Sequence, residues 1–257
     1  MLPALFVSHG SPMLVGEDIP ARDFLAGLGE TLGRPDSIVV ASAHWETAVP
    51  EFTAASRLET IHDFYGFPEE LYRLRYPAAG NPGLAARATQ LLEAAGLTAR
   101  TDAQRGLDHG AWSPLLLMYP KADIPVVELS VQPGKSAAHH IAVGRALAPL
   151  RDDNILVMGS GGAVHNLRTL QRGAPGEPAE WARDFDEWLH EQFKGGHDEA
   201  LEAYRHDAPG AALAHPRDEH LLPAFVAYGA GGKGSRGRRV HNSFTYGSLS
   251  MAAFLFQ

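Results

Sequence analysis

The sequence predicts an α/β fold: a single-domain three-layer sandwich with a mostly parallel central sheet, helices on both faces and an antiparallel edge. Three observations carry this expectation. Short apolar runs rich in Val, Ile and Leu recur at 3–7, 37–42, 124–130 and 155–158 without the alternation of a half-exposed strand, and such runs suit parallel strands covered on both sides. Stretches with helical spacing lie between them, giving a repeated βα rhythm. Three of the runs lead through small residues into a histidine: His9, His44 and His165. In doubly wound sheets ligands bind beyond the carboxyl ends of the strands, so a single rim would gather these imidazoles into a metal site.

The elements follow in order. The first strand, 3–7, leads into His9-Gly10-Ser11-Pro12, and a helix over 20–32 begins at Pro20 and stops before Gly33 and Pro35. The second strand, 37–42, is followed by His44, and a short strand near 51–55 precedes a polar-aromatic loop at 60–68 that reads as a pocket wall. Asn81-Pro82 opens a helix over 83–95 with Leu84, Ala88, Leu91 and Leu92 on one face and Gly96 as its stop. A strand near 98–101, a buried helix at 112–118, a strand at 124–130 and a helix over 136–150 capped by Ser136 come next. Beyond the strand at 155–158, helices are expected at 178–193, with Trp181, Phe185, Trp188 and Leu189 inward, at 198–204 and at 219–228. The last two strands, 240–246 and 248–256, are too close for a helical crossover and should pair antiparallel at an edge.

Composition narrows the function. The chain has 257 residues, one domain's worth for this class, and no cysteine, which removes disulfides, thiolate nucleophiles and Cys-type metal sites together. A formal charge of −8 argues against a nucleic-acid partner. No apolar run approaches the ~20 residues needed to cross a bilayer, and residues 1–10 lack the basic, long-apolar pattern of a secretory signal. A cytoplasmic protein with no membrane partner is the expectation. The HExxH, Walker and GxSxG signatures are absent.

The 13 histidines are the compositional oddity. A lone histidine is more often structural than catalytic, but His9, His44 and His165 share a strand-end position that makes them metal-ligand candidates. Glu219 or His220, adjacent at the expected start of a helix, could complete the site. Helical neighbours point about 100° apart, so one of the two should face the ion: a 2-His-1-carboxylate triad would choose Glu219, an all-nitrogen set His220. His109 and His62 lie among aromatics and read as substrate contacts. Phe64, Tyr65, Phe67 and Trp112 suit a pocket for a planar ring.

Seven blocks together, HGSP at 9–12, SAHWE at 42–46, TIHDFYGFP at 60–68, LDHGAW at 107–112, GSGGAVHNLR at 159–168, EHLLP at 219–223 and GSLSM at 247–251, resemble the class III extradiol ring-cleavage dioxygenases. Within these the chain resembles the 4,5-DOPA extradiol dioxygenase branch. The resemblance spans essentially the whole chain. It implies one divalent metal, Fe(II) for activity or Zn(II) as purified, and a small aromatic diol and O2 as substrates. It implies metal ligation by His9, His44 and His220, and an acid/base role for His165, which in a resting zinc form also binds the metal. His109 is implied to lie near the substrate and is taken with His165 as a catalytic residue, while His62, Phe64 and Trp112 are read from the residues themselves as substrate contacts. Protocatechuate-type relatives use a Glu as third ligand where this branch uses His. Two rival readings of the same residues are a zinc hydrolase using the four-histidine site and a non-catalytic binding protein on this scaffold.

Overall fold

The computed structural model describes residues 1–171 and 177–257. Its strands are β1 (Ala4–Ser8), β2 (Ser37–Glu46), β3 (Glu51–Thr53), β4 (Arg100–Asp102), β5 (Val126–Val131), β6 (Ile155–Gly161), β7 (Gly237–His241), β8 (Phe244–Thr245), β9 (Leu249–Ser250) and β10 (Ala253–Phe256). Its helices are α1 (Pro20–Leu32), α2 (Glu69–Arg73), α3 (Pro82–Ala94), α4 (His109–Met118), α5 (Ala137–Leu147), α6 (Glu180–Gly195), α7 (Asp198–Glu202), α8 (Tyr204–Asp207), α9 (Ala211–Ala214) and α10 (Leu222–Ala230).

Eight strands form one sheet in the order β4-β3-β5-β2-β6-β1-β10-β7. The centre, β5-β2-β6-β1, is parallel. Its residues alternate between two buried layers because successive side chains leave a strand on opposite faces. Phe6, Val39, Ala41, Val127 and Val157 pack with α3, α5, α6 and α10 on one side, while Leu5, Val7, Ile38, Val40 and Leu156 pack with α1 and α4 on the other. Both faces are apolar, which is why the runs read as continuous rather than alternating. Each fully buried Leu or Phe in these layers contributes about 1.5–3 kcal/mol of transfer free energy.

The expected antiparallel edge is present with different limits. β10 pairs β1 and β7 pairs β10, both antiparallel, while the residues between them form the separate ribbon β8-β9. The opposite edge carries a second reversal, since β3 runs against β5 and β4 follows β3 in parallel. In α6 the buried stripe is Ala182, Phe185, Leu189 and Phe193, and Trp181 and Trp188 flank it half-buried. Among the described residues no helix is long and apolar enough to cross a membrane.

Two helix starts differ from expectation, and both matter for the site. α4 begins at His109, not at 112, because Asp108 caps it by accepting from the Ala111 N–H. α10 begins at Leu222, not at 219, with Pro223 in its first turn. Asp218 O accepts from both Leu221 N and Leu222 N, so Glu219 and His220 lie in a turn ahead of the helix. The 100° rule for helical neighbours therefore does not apply to them.

Candidate active site

The parallel register brings the histidine-bearing ends together. Ser8 of β1 lies opposite Gly161 of β6, and Ser42 of β2 opposite Ser160. His9 leaves β1 just beyond this level, its N–H donating to Gly161 O at 2.9 Å, and His44 stands near the end of β2. His220 is delivered from the far side of the chain by close backbone contact with β6. Gly162 N donates to His220 O at 2.8 Å. A Cβ on Gly161 would lie 2.0 Å from His220 O, and one on Gly159 would lie 2.0 Å from Pro223 O. Gly159 and Gly161 thus make room for the backbone of residues 220–223, rather than for an ion or substrate as their small size alone suggests.

Five imidazoles result. The ring centroids of His9, His44 and His220 form a near-equilateral triangle, with separations of 5.0 Å (His9–His44), 5.4 Å (His9–His220) and 4.9 Å (His44–His220). His109 packs 3.9 Å from His44 and 5.5 Å from His9. His165 stacks on His220 at 3.4 Å with the planes 7° apart. Ligand atoms of His9, His44 and His109 lie within 4.8 Å of one another, as do those of His165, Glu219 and His220.

Hydrogen-bond partners fix which nitrogen each ring turns inward. Burial, reinforced by the neighbouring His44, His109 and His165 rings, pushes His9 well below its ordinary pKa, and burial together with His109 brings His44 to about 4. Both are neutral at pH 7, with one N–H and one lone pair each. Ser160 Oγ spends its hydrogen on Gly110 O at 2.5 Å, so at 3.0 Å from His9 Nδ1 it accepts the ring's proton. That carbonyl is free because Pro114, four residues on, has no N–H to bond it within α4. His44 Nδ1 faces Asp63 Oδ2 at 3.3 Å. Burial would raise the Asp63 carboxyl, but hydrogen bonds and charge from His109 outweigh it and hold the group at about 2. Ionised, it accepts at 2.9 Å from both His109 Nδ1 and the His109 backbone N–H, and its charge draws the His44 proton to Nδ1.

His9 Nε2 and His44 Nε2, both left with lone pairs, consequently meet at 3.0 Å. Two acceptors at that separation repel unless a cation lies beside both. His220 is pushed well below its ordinary pKa by burial and by His165, and its Nδ1 donates to Glu219 Oε1 at 3.0 Å, leaving its Nε2 unprotonated as well. Glu219 acts here as the acceptor that orients His220. A carboxylate or hydroxyl behind each imidazole is the support pattern of metal-binding histidines, and an all-imidazole set suits a divalent transition metal.

A cavity of about 610 Å³ opens onto this cluster. His44, His109, His165 and His220 line it, with Phe64, Tyr65 and Phe67 from the predicted aromatic loop. His62 and Trp112 do not line it. Trp112 is fully buried and donates its indole N–H to Ile61 O at 2.9 Å, while His62 packs against Phe64 and bonds Leu74 O. Both hold the wall that Phe64 presents. Asp63, Ser160, Glu17 and Tyr246 were not flagged by the sequence, although an acid next to His62 in a histidine-bearing loop is the kind of residue that fixes an imidazole.

With this geometry in hand, the class is plain: residues 3–256 match the family described as the catalytic LigB subunit of aromatic ring-opening dioxygenase, and the chain belongs to that family. It is an extradiol-type ring-opening dioxygenase that depends on a metal and acts on an aromatic substrate with O2. Among curated relatives, the 4,5-DOPA dioxygenase extradiol of Beta vulgaris is 44% identical, covering 98% of this chain and 95% of its own. The Escherichia coli K12 protein of the same name is 44% identical over 89% of this chain and 85% of its own. The crystal structure of an uncharacterized Escherichia coli K12 protein superimposes with a TM-score of 0.83 at 38% identity over 99% of both chains. Family membership weighs against the hydrolase and the non-catalytic readings.

Proposed function

We propose that this enzyme opens the ring of a DOPA-like catechol, with His9, His44 and His220 holding one Fe(II) and His165 moving the proton. The observation that carries the ligand set is the triangle of three neutral imidazoles about 5 Å apart, each with Nδ1 committed to an acceptor behind it. His165, stacked on His220 at 3.4 Å and lining the same cavity, takes the acid/base role in this reading.

Bound in that triangle, a divalent metal supplies Lewis acidity that eases ionisation of a catechol, whose hydroxyls resemble tyrosine with pKa near ~10, and the electron transfer that O2 needs. The chain supplies the rest. Burial and His215 bring His165 down to about 3, so its neutral form is available to take a catechol proton. An anionic substrate beside it raises that affinity for the proton, and the same ring returns it to the departing oxygen. His109, tied to Asp63, lines the cavity where a ring would sit, and Phe64, with Trp112 and His62 packed against it, forms an apolar wall that excludes water.

The test is a single-turnover experiment with the Fe(II)-loaded protein, a 3,4-dihydroxyphenyl substrate and O2. A yellow ring-opened semialdehyde with stoichiometric O2 uptake is expected; the absence of both would refute the assignment. His165→Ala should keep the metal and lose turnover. Loss of metal in that variant would move His165 into the ligand set.

A further inference from the structure

The cavity has a chemical asymmetry that the ring-opening reaction does not use. Among its described lining residues there is no lysine or arginine, and Glu17 is the single acid. Glu17 lies in the loop that carries His9 out of β1, just past the 3-10 turn Pro12–Val15, with its backbone N–H on Met13 O. It belongs to neither group of metal-competent side chains. Its Oε1 accepts a hydrogen bond from the Tyr246 hydroxyl, and Tyr246 lines the same cavity. Tyr246 occupies the turn between β8 and β9 with φ of 52°, a left-handed conformation costly for a bulky residue. The turn is held from outside by Gln171 N donating to Tyr246 O and by Ala179 N donating to Gly247 O.

From these contacts we propose that Glu17, held by Tyr246, selects the side arm of the substrate, and that the cavity prefers catechols with a cationic ammonium arm over those with a carboxylate in its place. A carboxylate has acceptor positions beyond the one Tyr246 fills, and a charge-assisted bond to an ammonium is roughly twice as strong as a neutral one. Among the described lining residues no cation pairs a carboxylate arm, so its desolvation goes uncompensated there. An amino-acid arm is accepted through its ammonium, and its carboxylate is dispensable.

This rests on the ring-opening reading, so the experiment separates the two. Three catechols with arms of similar length are compared: 3,4-dihydroxyphenethylamine, 3,4-dihydroxyphenylpropionate and neutral 4-ethylcatechol. Calorimetric binding and kcat/KM with the Fe(II)-loaded enzyme are measured side by side. The ammonium compound should exceed the carboxylate compound by about tenfold or more in both, chiefly in KM. In Glu17→Gln the ratio should collapse to within about twofold, and in Glu17→Lys it should invert. A wild-type ratio near unity, or one that survives both substitutions, overturns the proposal. Tighter binding of the ammonium compound that depends on Glu17, with no ring opened for any of the three, upholds the selector and refutes the reaction instead.

Discussion

Ser160→Ala tests how a helix defect reaches the metal site. Ser160 is fully buried and makes two bonds, donating to Gly110 O and accepting from His9 Nδ1. Its loss strands a buried carbonyl and a buried ring N–H, at about 1–3 kcal/mol each, so the metal-free protein should lose roughly 2–4 kcal/mol after partial relaxation. The second effect is on the tautomer. Without an acceptor behind Nδ1, His9 is free to carry its proton on Nε2, the atom that faces His44. Losing such a supporting partner typically weakens metal affinity about 10–100-fold. The assay pairs a chelator competition for Zn(II) with urea unfolding in EDTA. Pro114→Ala gives an independent check, because it restores an N–H that competes for Gly110 O and should weaken metal binding a few-fold in the same direction. If Ser160→Ala binds Zn(II) as tightly as wild type, the chain from Pro114 through Gly110 and Ser160 to His9 does not set the ligand nitrogen.

Gly161→Ala places a Cβ 2.0 Å from His220 O, so it should displace the residue 219–223 turn; metal stoichiometry by atomic absorption is expected to fall well below one, and full occupancy would refute the close-approach argument. Asp63→Asn removes the charge that holds both His44 Nδ1 and His109 Nδ1, and turnover should drop about 10–100-fold with the protein still folded by circular dichroism; unchanged turnover would show that Asp63 is incidental. Acidification should destabilise the metal-free protein. His140 and His215, both buried, sit at about 4 in the fold against 6.5 unfolded. Between those values the unfolded chain binds more protons, so stability is complete above pH 6.5 and falls as pH drops through the window. From pH 7 to pH 5 each histidine contributes a loss of about 2 kcal/mol. A urea midpoint in EDTA that stays level or rises on this change would contradict the assignment of neutral buried rings.

The parallel core and its histidine ends were legible because their signal is local: an apolar run long enough to be buried on both faces, then small residues, then His9 or His44. What escaped depended on contacts between distant segments. β3 and β4 are three residues each, too short to carry a pattern, so the reversal of β3 against β5 is set by tertiary pairing. The Leu-Leu run reads as helix from residue 219, although Pro223 is a first-turn signal and α10 starts at Leu222. A helical start sets Glu219 and His220 apart as rival ligands, whereas the turn sets the Glu219 carboxylate against the His220 ring. Asp108 gives little sign of its capping role because it lies in a glycine-containing segment that reads as loop. Glu17 carries no signal in the sequence, since a single acid after a turn stands out only once it is seen to be the one charged residue among the described residues lining the cavity.

The electrostatics of the site follow from how cheaply imidazole is buried. Four charged side chains could not share this volume, but neutral rings can, and burial keeps His9, His44, His165 and His220 neutral. The price is a set of lone pairs without donors, an arrangement suited to a divalent cation. Asp63 and Glu219 stand behind the His44 and His220 rings, so their negative charge would be one ring removed from such an ion. Placing carboxylates directly on the ion would neutralise it and weaken its pull on an ionising substrate. Among the described residues the cavity walls carry no lysine or arginine, and a cation beside the rings would repel a divalent metal held there.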